Sequence, residues 1–425
     1  MKYQTPRGTH DILPGIRTKD REYEVARWNH AESVFREVSR LYGYGEVRTP
    51  MFEDYDLFVR SSGETSDIVS KEMYDFYDKG ERHIALKPEG TAPVMRAYLE
   101  HNLGLQGQVT RLCYETPAFR YGRPGKGRVR QLHQFGFELI GSASPEADFE
   151  IIQVTLDFYA RMGLPGLKLL LNTIGRAETR TRYAEIILGH VHGWLKDQDE
   201  AGQAQARKNP LRLLDTKNAS LRTALGGLAP LSDFLEDASR LHFDQLIELL
   251  DRAGIHHAVE TSVVRGLDYY TDTVFEVVST EMGADLSMCG GGRYDNLIQE
   301  LGGPPTPSVG VGIGIERMLD TFVMRGIDPP QDQMDAYVVA ATDGIVREAR
   351  ALVEELRSQG LSAQADIDGK PVKAQFKQAD RSGARYAVVI GSEGQAPGTV
   401  TLKDMQTGQN MTVQRTALAA RLRER

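Results

Sequence analysis

The segment VVRGLDYYTDTVFE, residues 263–276, places an arginine and a glycine just ahead of a run that reads as a β-strand. Tyr270, Thr271, Thr273, Val274 and Phe275 supply the β-branched and aromatic content of that strand. An arginine followed by two carboxylates and two tyrosines is an unusual way into a half-buried strand, and it marks Arg265 as a residue with a task. A second group of cations lies in TRLCYETPAFRYGRPGKGRVRQLHQFGFELIG. Between 111 and 130 stand Arg111, Arg120, Arg123, Lys126, Arg128 and Arg130 against Glu115 alone. Residues 109–140 read as a β-hairpin, and Gly122, Pro124, Gly125 and Gly127 predict a mobile tip. A mobile basic tip suits a polyanion that arrives and leaves. A solvated loop is the plainer reading of the tip alone.

The return strand shifts that balance. Its alternation sets Leu132, Gln134, Gly136, Glu138 and Ile140 on one face, and His133, Phe135 and Phe137 on an apolar one. A Gln and a Glu on either side of a glycine make a polar floor for a small ligand. In GVGIGIERML (310–319), alternating Gly310, Gly312 and Gly314 leave one face of a strand bare, so that a flat ring could lie on it. Tight backbone packing explains the same glycines equally well. Glu316 and Arg317 follow where a helix begins. The phosphate-cradling pattern GxxxxGK[ST] occurs nowhere in the chain.

These pieces need a scaffold, and the chain is long enough for one. Its 425 residues allow two or three domains with full cores, and 40% hydrophobic and 26% charged residues are ordinary globular composition. No apolar run approaches the roughly 20 residues of a membrane helix. The N-terminus MKYQTPRGTHDILPG lacks a secretory apolar core, so a cytoplasmic location is expected. Cys113 and Cys289 form no CxxC pair, and neither a disulfide framework nor a zinc site is indicated. The net charge of −8 argues against nonspecific nucleic-acid binding without excluding a local basic site. Residues 20–42 carry Val25, Trp28, Phe35, Val38 and Leu41 at helical spacing. From about 176 to 253 the pattern is helical, an insertion between two halves of a β-rich catalytic domain spanning 1–328. PPQDQM (329–334) reads as a linker. Residues 335–425 then alternate strand and helix as a small α/β domain.

Taken together, the FR…R…HQ hairpin with Arg120, GIGIER, RGLDYYTDTVFE and CGGGRYD (289–295) resemble the histidyl-tRNA synthetases, which are class II aminoacyl-tRNA synthetases. RGTHDILP and KPEGT (87–91) fit as well, and the likeness runs over essentially the whole chain. RGLDYY and GGRYD are its most specific elements. The resemblance implies an α+β fold: an antiparallel sheet flanked by helices, with a C-terminal anticodon-binding domain. It implies a homodimer acting on L-histidine, ATP with Mg2+, and tRNA(His), with no prosthetic group and no zinc.

The resemblance also implies roles. Arg120 matches the hairpin arginine that holds the α-phosphate, and Arg317 the arginine at the nucleotide, with Glu316 beside it at the ATP site as no more than a candidate magnesium ligand. Arg265 matches the arginine beside the reacting carboxylate and α-phosphate, and Gly266 would let the backbone aim it. Glu89 and Thr91 match the holders of the α-amino group, with Gln134 beside them. Glu138 and Tyr270 match the partners of the imidazole, and Tyr294 lines the same pocket. Arg123, Lys126 and Arg128 fall to the tRNA acceptor end. Gly122 and Gly125 depart from the polar residues many bacterial relatives carry at the tip, and Leu132 from a common aromatic one. One paralogue senses histidine as the regulatory subunit of ATP phosphoribosyltransferase without charging tRNA. That class typically lacks the C-terminal domain and erodes the catalytic arginine, and this chain has both.

Overall fold

Eight strands of the N-terminal unit form one mixed sheet: β1 (Gly45–Glu46), β2 (Thr110–Phe119), β3 (Gln131–Ile140), β4 (Lys168–Thr173), β5 (His257–Val259), β6 (Thr271–Ser279), β7 (Leu286–Arg293) and β8 (Ser308–Gly314). The order is β1-β2-β3-β8-β7-β6-β4-β5. The six central strands pair antiparallel, and β1 and β5 add parallel edges. A computed structural model describes residues 3–15, 21–63, 66–104, 109–125, 127–214, 216, 218–264, 267–280, 286–330 and 333–424. Arg265, Gly266 and Lys126 lie outside the described residues. The chain divides into two units, Met1–Pro329 and Pro330–Arg425.

Alternation along β3 divides its side chains between the two faces of the sheet. Phe135, Phe137 and Leu139 enter the main core with Phe35 and Phe158. The Phe35 and Phe135 rings stack at 4.3 Å, and Phe158 meets Phe35 edge-on at 5.9 Å. Burying each such ring contributes roughly 1.5–3 kcal/mol. The helices covering this face are Val25–Leu41, Pro145–Arg161 and Asp237–Arg252. Pro145 opens the second of them in its first turn, and Ser144 caps it by accepting from the Glu146 N–H. The first helix starts at Val25, later than the sequence periodicity predicts. Leu13 takes the backbone bonds at this point, donating to the Tyr23 carbonyl and accepting from the Val25 N–H, so Glu24 pairs with it as a bridge instead of joining the helix.

The helices between Ala177 and Ala224 bury two small clusters of their own, around Tyr183 and Ile187 and around Val191 and Leu195. In Asp237–Arg252, by contrast, Phe243, Leu246 and Leu250 belong to the main core. A three-stranded sheet, Phe52–Asp54, His83–Leu86 and Tyr74–Tyr77, precedes the helix Thr91–Glu100. The second unit is a five-stranded sheet whose Ala363–Ala365, Ala336–Ala340 and Tyr386–Ile390 run parallel. Thr399–Asp404 and Asn410–Gln414 extend it antiparallel. Among the described residues no helix is long and apolar enough to cross a membrane.

Candidate active site

On the sheet face away from the main core, β3, β8, β7 and the tip of the β2–β3 hairpin enclose a cleft of ≈ 200 Å³. Glu89, Thr91, Arg120, Arg128, Gln134, Tyr270, Glu316 and Arg317 line it. The hairpin registers fully from Thr110↔Ile140 to Phe119↔Gln131, so the polar face of β3 points at the cleft. Gln134 Oε1 is buried there with no hydrogen-bond partner among the described residues. An unpaired buried acceptor is costly unless a ligand donor meets it.

Glu89 sits just ahead of the helix Thr91–Glu100. Its carboxylate accepts from the Thr91 and Ala92 N–H groups at 2.6 and 2.8 Å, where a helix start favours negative charge. Burial pushes its pKa up, and those two N–H groups oppose the rise. The Thr91 hydroxyl donates to Glu138 Oε1 at 2.8 Å, and the Tyr294 hydroxyl donates to Glu138 Oε2. Glu138 is fully buried, and burial raises its pKa to about 8 against the hydroxyls that favour its charge. Glu138 and Tyr294 are not part of the cleft lining; Glu138 stands one hydrogen bond behind it, through Thr91.

The alternating glycines of β8 divide their duties. A side chain at Gly310 would overlap the Glu138 carboxylate, so that bare position serves a protein side chain instead of a ligand. Gly312 and Gly314 do open on the cleft. On β3, the space above Gly136 is filled by the Tyr114 ring, which also lies against Gly90. Tyr114 faces Gly136 across the β2–β3 ladder, and the pairing of a large ring with a glycine was the signal in the sequence. Sequence reasoning missed it, and it missed Tyr269, Met288 and Cys289 in the lining too.

Arg120 Nε donates to the Pro88 carbonyl at 2.8 Å. Arg317 Nε and Nη1 donate to the carbonyls of Gly127 and Ser287 at 3.0 and 2.8 Å. Backbone carbonyls thus fix the orientation of both guanidinium planes at the cleft. The hairpin tip, predicted to be mobile, is anchored in its described residues. Tyr121 N–H donates to Glu72, Gly125 and Arg128 exchange backbone bonds, and Arg130 lies 3.9 Å over the Tyr121 ring. Arg123 is exposed at the tip and does not line the cleft.

Glu316 is only 4% exposed. Its carboxylate accepts from the His133 N–H at 3.0 and 3.1 Å and meets His133 Nδ1 at 2.8 Å. That pairing turns His133 away from the purely apolar role its strand face predicts. Among the described residues no group of three or more His, Cys, Asp or Glu could hold a metal ion. Glu316 also lines the cleft, so its carboxylate meets His133 from inside the site.

GGRYD closes the site from below. Arg293, 1% exposed, donates Nε and Nη2 to Asp148 and Nη1 to Asp295. Asp295 also accepts from the Ser308 N–H. Burial pushes the Asp148 carboxyl up, but Arg293 and His242 overcome it and hold its pKa below the usual value. The residue after Arg293 is the Tyr294 that reaches Glu138, so this buried ion pair sits at the root of the pocket.

An antiparallel sheet whose cleft is bracketed by two oriented arginines, ahead of a separate α/β unit, is the architecture of a class II aminoacyl-tRNA synthetase. The comparisons name the amino acid. Residues 19–318 match the family "Histidyl-tRNA synthetase" and residues 335–425 match "Anticodon binding domain". A Streptococcus pneumoniae protein named Histidine--tRNA ligase is 41% identical over 416 residues, 97% of this chain and 95% of its own length. The crystal structure of apo histidyl-tRNA synthetase from Staphylococcus aureus superposes with a TM-score of 0.82 at 34% identity, covering 99% of both chains. A Bacillus halodurans structure titled ATP phosphoribosyltransferase regulatory subunit/histidyl-tRNA synthetase shares the fold, with a TM-score of 0.65 at 22% identity. The chain belongs to the histidyl-tRNA synthetase family.

Proposed function

We propose that this chain activates L-histidine with ATP and transfers the histidyl group to tRNA(His). The observation that carries the reading is the cleft itself: an unpaired buried Gln134 acceptor beside Glu89, with Arg120 and Arg317 oriented at its rim. In this reading Glu89, Thr91 and Gln134 hold the α-amino group. Tyr270 meets the imidazole from the cleft lining. Glu138 is the second ring partner and needs a side-chain shift to reach it from behind Thr91. A neutral imidazole has one donor and one acceptor, so a carboxyl and a phenol can read both ends. A site that pairs such groups rejects ligands lacking them by roughly 10⁴–10⁵, which makes editing unnecessary.

A carboxylate oxygen of histidine attacks the α-phosphorus, the bond to the bridging oxygen breaks, and pyrophosphate leaves. A ribose hydroxyl at the tRNA end then attacks the carbonyl, and AMP leaves. No enzyme nucleophile is required, so the chain supplies position and charge. Arg120 holds the α-phosphate, Arg317 the nucleotide, and Arg265 the charge that builds between carboxylate and phosphorus. Magnesium arrives with the phosphates of ATP and contributes charge neutralisation. Arg123, Lys126 and Arg128 are assigned to the acceptor end, and residues 335–425 to the anticodon. The catalytic domain is taken as 1–328, and the working form as a cytoplasmic homodimer.

Histidine-dependent exchange of pyrophosphate into ATP tests this reading. Exchange that needs histidine and no tRNA is the expected result. Histidine binding without exchange would make the chain a sensor like the regulatory paralogue.

A further inference from the structure

The segment 267–272 carries Tyr270 into the cleft, and the helical insertion holds this segment from outside. Arg180, on the helix Ala177–His190, donates Nη1 to the Tyr270 carbonyl at 2.5 Å and to the Asp268 carbonyl at 3.3 Å. Asn209, also in the insertion, donates Nδ2 to Asp268 Oδ1 at 3.2 Å. Two residues after Tyr270, Asp272 is 3% exposed and holds φ 45, a left-handed conformation that non-glycine residues rarely adopt. Its carboxylate is fixed by the Ser239 hydroxyl at 2.6 Å and by Arg176 Nε at 3.3 Å. The backbone that carries Tyr270 is therefore set by side chains from 176, 180, 209 and 239, none of which lines the cleft.

We propose that Arg180 is a positioning residue for histidine selection: by gripping the carbonyls of Asp268 and Tyr270, it fixes where the Tyr270 ring stands in the cleft and couples the insertion to amino-acid binding. The geometry supports this over simple packing. A guanidinium that only anchored a helix could use any carbonyl. This one takes two from the cleft segment, and the strained Asp272 beside them keeps the segment from relaxing. The inference rests on the assignment of Tyr270 to the imidazole, and the test separates the two.

Steady-state pyrophosphate exchange on the full chain supplies it, with Arg180→Gln, Tyr270→Phe and the double variant, each corrected by active-site titration. The expected result for Arg180→Gln is a rise of about tenfold in KM for histidine, on the order of one lost hydrogen bond to a buried group, with KM for ATP unchanged. The double variant should rise little beyond Tyr270→Phe alone, because the two changes act on one contact. Arg180→Lys, which keeps the charge and can reach one carbonyl, should fall between and carries the test if the Gln variant does not fold. Loss of active sites with both KM values unchanged would make Arg180 a structural anchor and overturn the proposal. An unchanged histidine KM in Tyr270→Phe would overturn the Tyr270 assignment and the proposal with it, while exchange by the parent would leave the overall function standing.

Discussion

Gly310 is bare because Glu138 occupies the place its side chain would take. The two residues face each other across the β3–β8 ladder, and the carboxyl folds over the glycine. Gly310→Ala should therefore displace the carboxyl and loosen its bonds to Thr91 and Tyr294. Overpacking of this kind costs roughly 1–3 kcal/mol. Calorimetric titration should show weakened histidine binding with ATP binding retained.

Glu138→Gln should abolish measurable histidine affinity while ATP still binds, since it turns one acceptor into a donor. A calorimetric histidine affinity equal to the parent's would reduce Glu138 to a structural residue. The variant also has a pH signature. Burial raises the Glu138 pKa from 4.5 to about 8, so its protonation stabilises the folded chain fully below about pH 4.5 and that contribution fades as pH rises through about 8. Urea unfolding across this window should show the parent losing stability with pH more steeply than Glu138→Gln.

For Arg265→Ala, histidine and ATP binding should stay within several-fold of the parent. Adenylate formation should slow by about 10² or more, the usual effect of losing one charge-stabilising donor. Arg265→Lys should rescue poorly because the two-anion geometry is lost. Single-turnover quench measurements decide it; a near-normal rate in the alanine variant would sink the role.

Arg293→Met should destabilise the catalytic unit by roughly 3–5 kcal/mol, because it strands the Asp148 charge in the core. Replacing both partners, Arg293→Met with Asp148→Leu, should recover much of that loss. Urea midpoints of the single and double variants supply the comparison.

A fragment ending at Pro329 should still make histidyl-adenylate and charge tRNA poorly. Residues 331–425 hold 13 Lys and Arg against 12 Asp and Glu, so this unit cannot grip RNA by bulk charge and must read specific unstacked bases. Full-rate aminoacylation by a well-folded fragment would remove anticodon reading from the second unit.

The fold class was legible because its elements announce themselves locally. Alternation along residues 131–140 separates the Phe135–Phe137 core face from the polar face, and Glu316 and Arg317 lie in the first turn of a helix, Ile315–Met324. What escaped depends on pairings distant in sequence. Nothing near Gly310 indicates that a carboxyl 172 residues earlier fills its space, nor does the glycine count at the tip reveal the bonds that anchor it. His133 shares a strand face with Phe135 yet turns to Glu316, because a buried carboxylate needs donors more than a core needs another ring. Arg265 was the most legible residue of all by its sequence context, and it lies outside the described residues.

The adjacency of β3 and β8 also governs when the protein can begin to act. These neighbouring strands span 131–140 and 308–314, so the middle of the sheet cannot close until the chain between them has been made. During synthesis at about 5–20 residues per second, the ribosome is committed for many seconds after the hairpin emerges. Throughout that interval the Gln134 edge of β3 lacks its partner strand. A nascent chain therefore has an open sheet edge to protect before it has a cleft to fill.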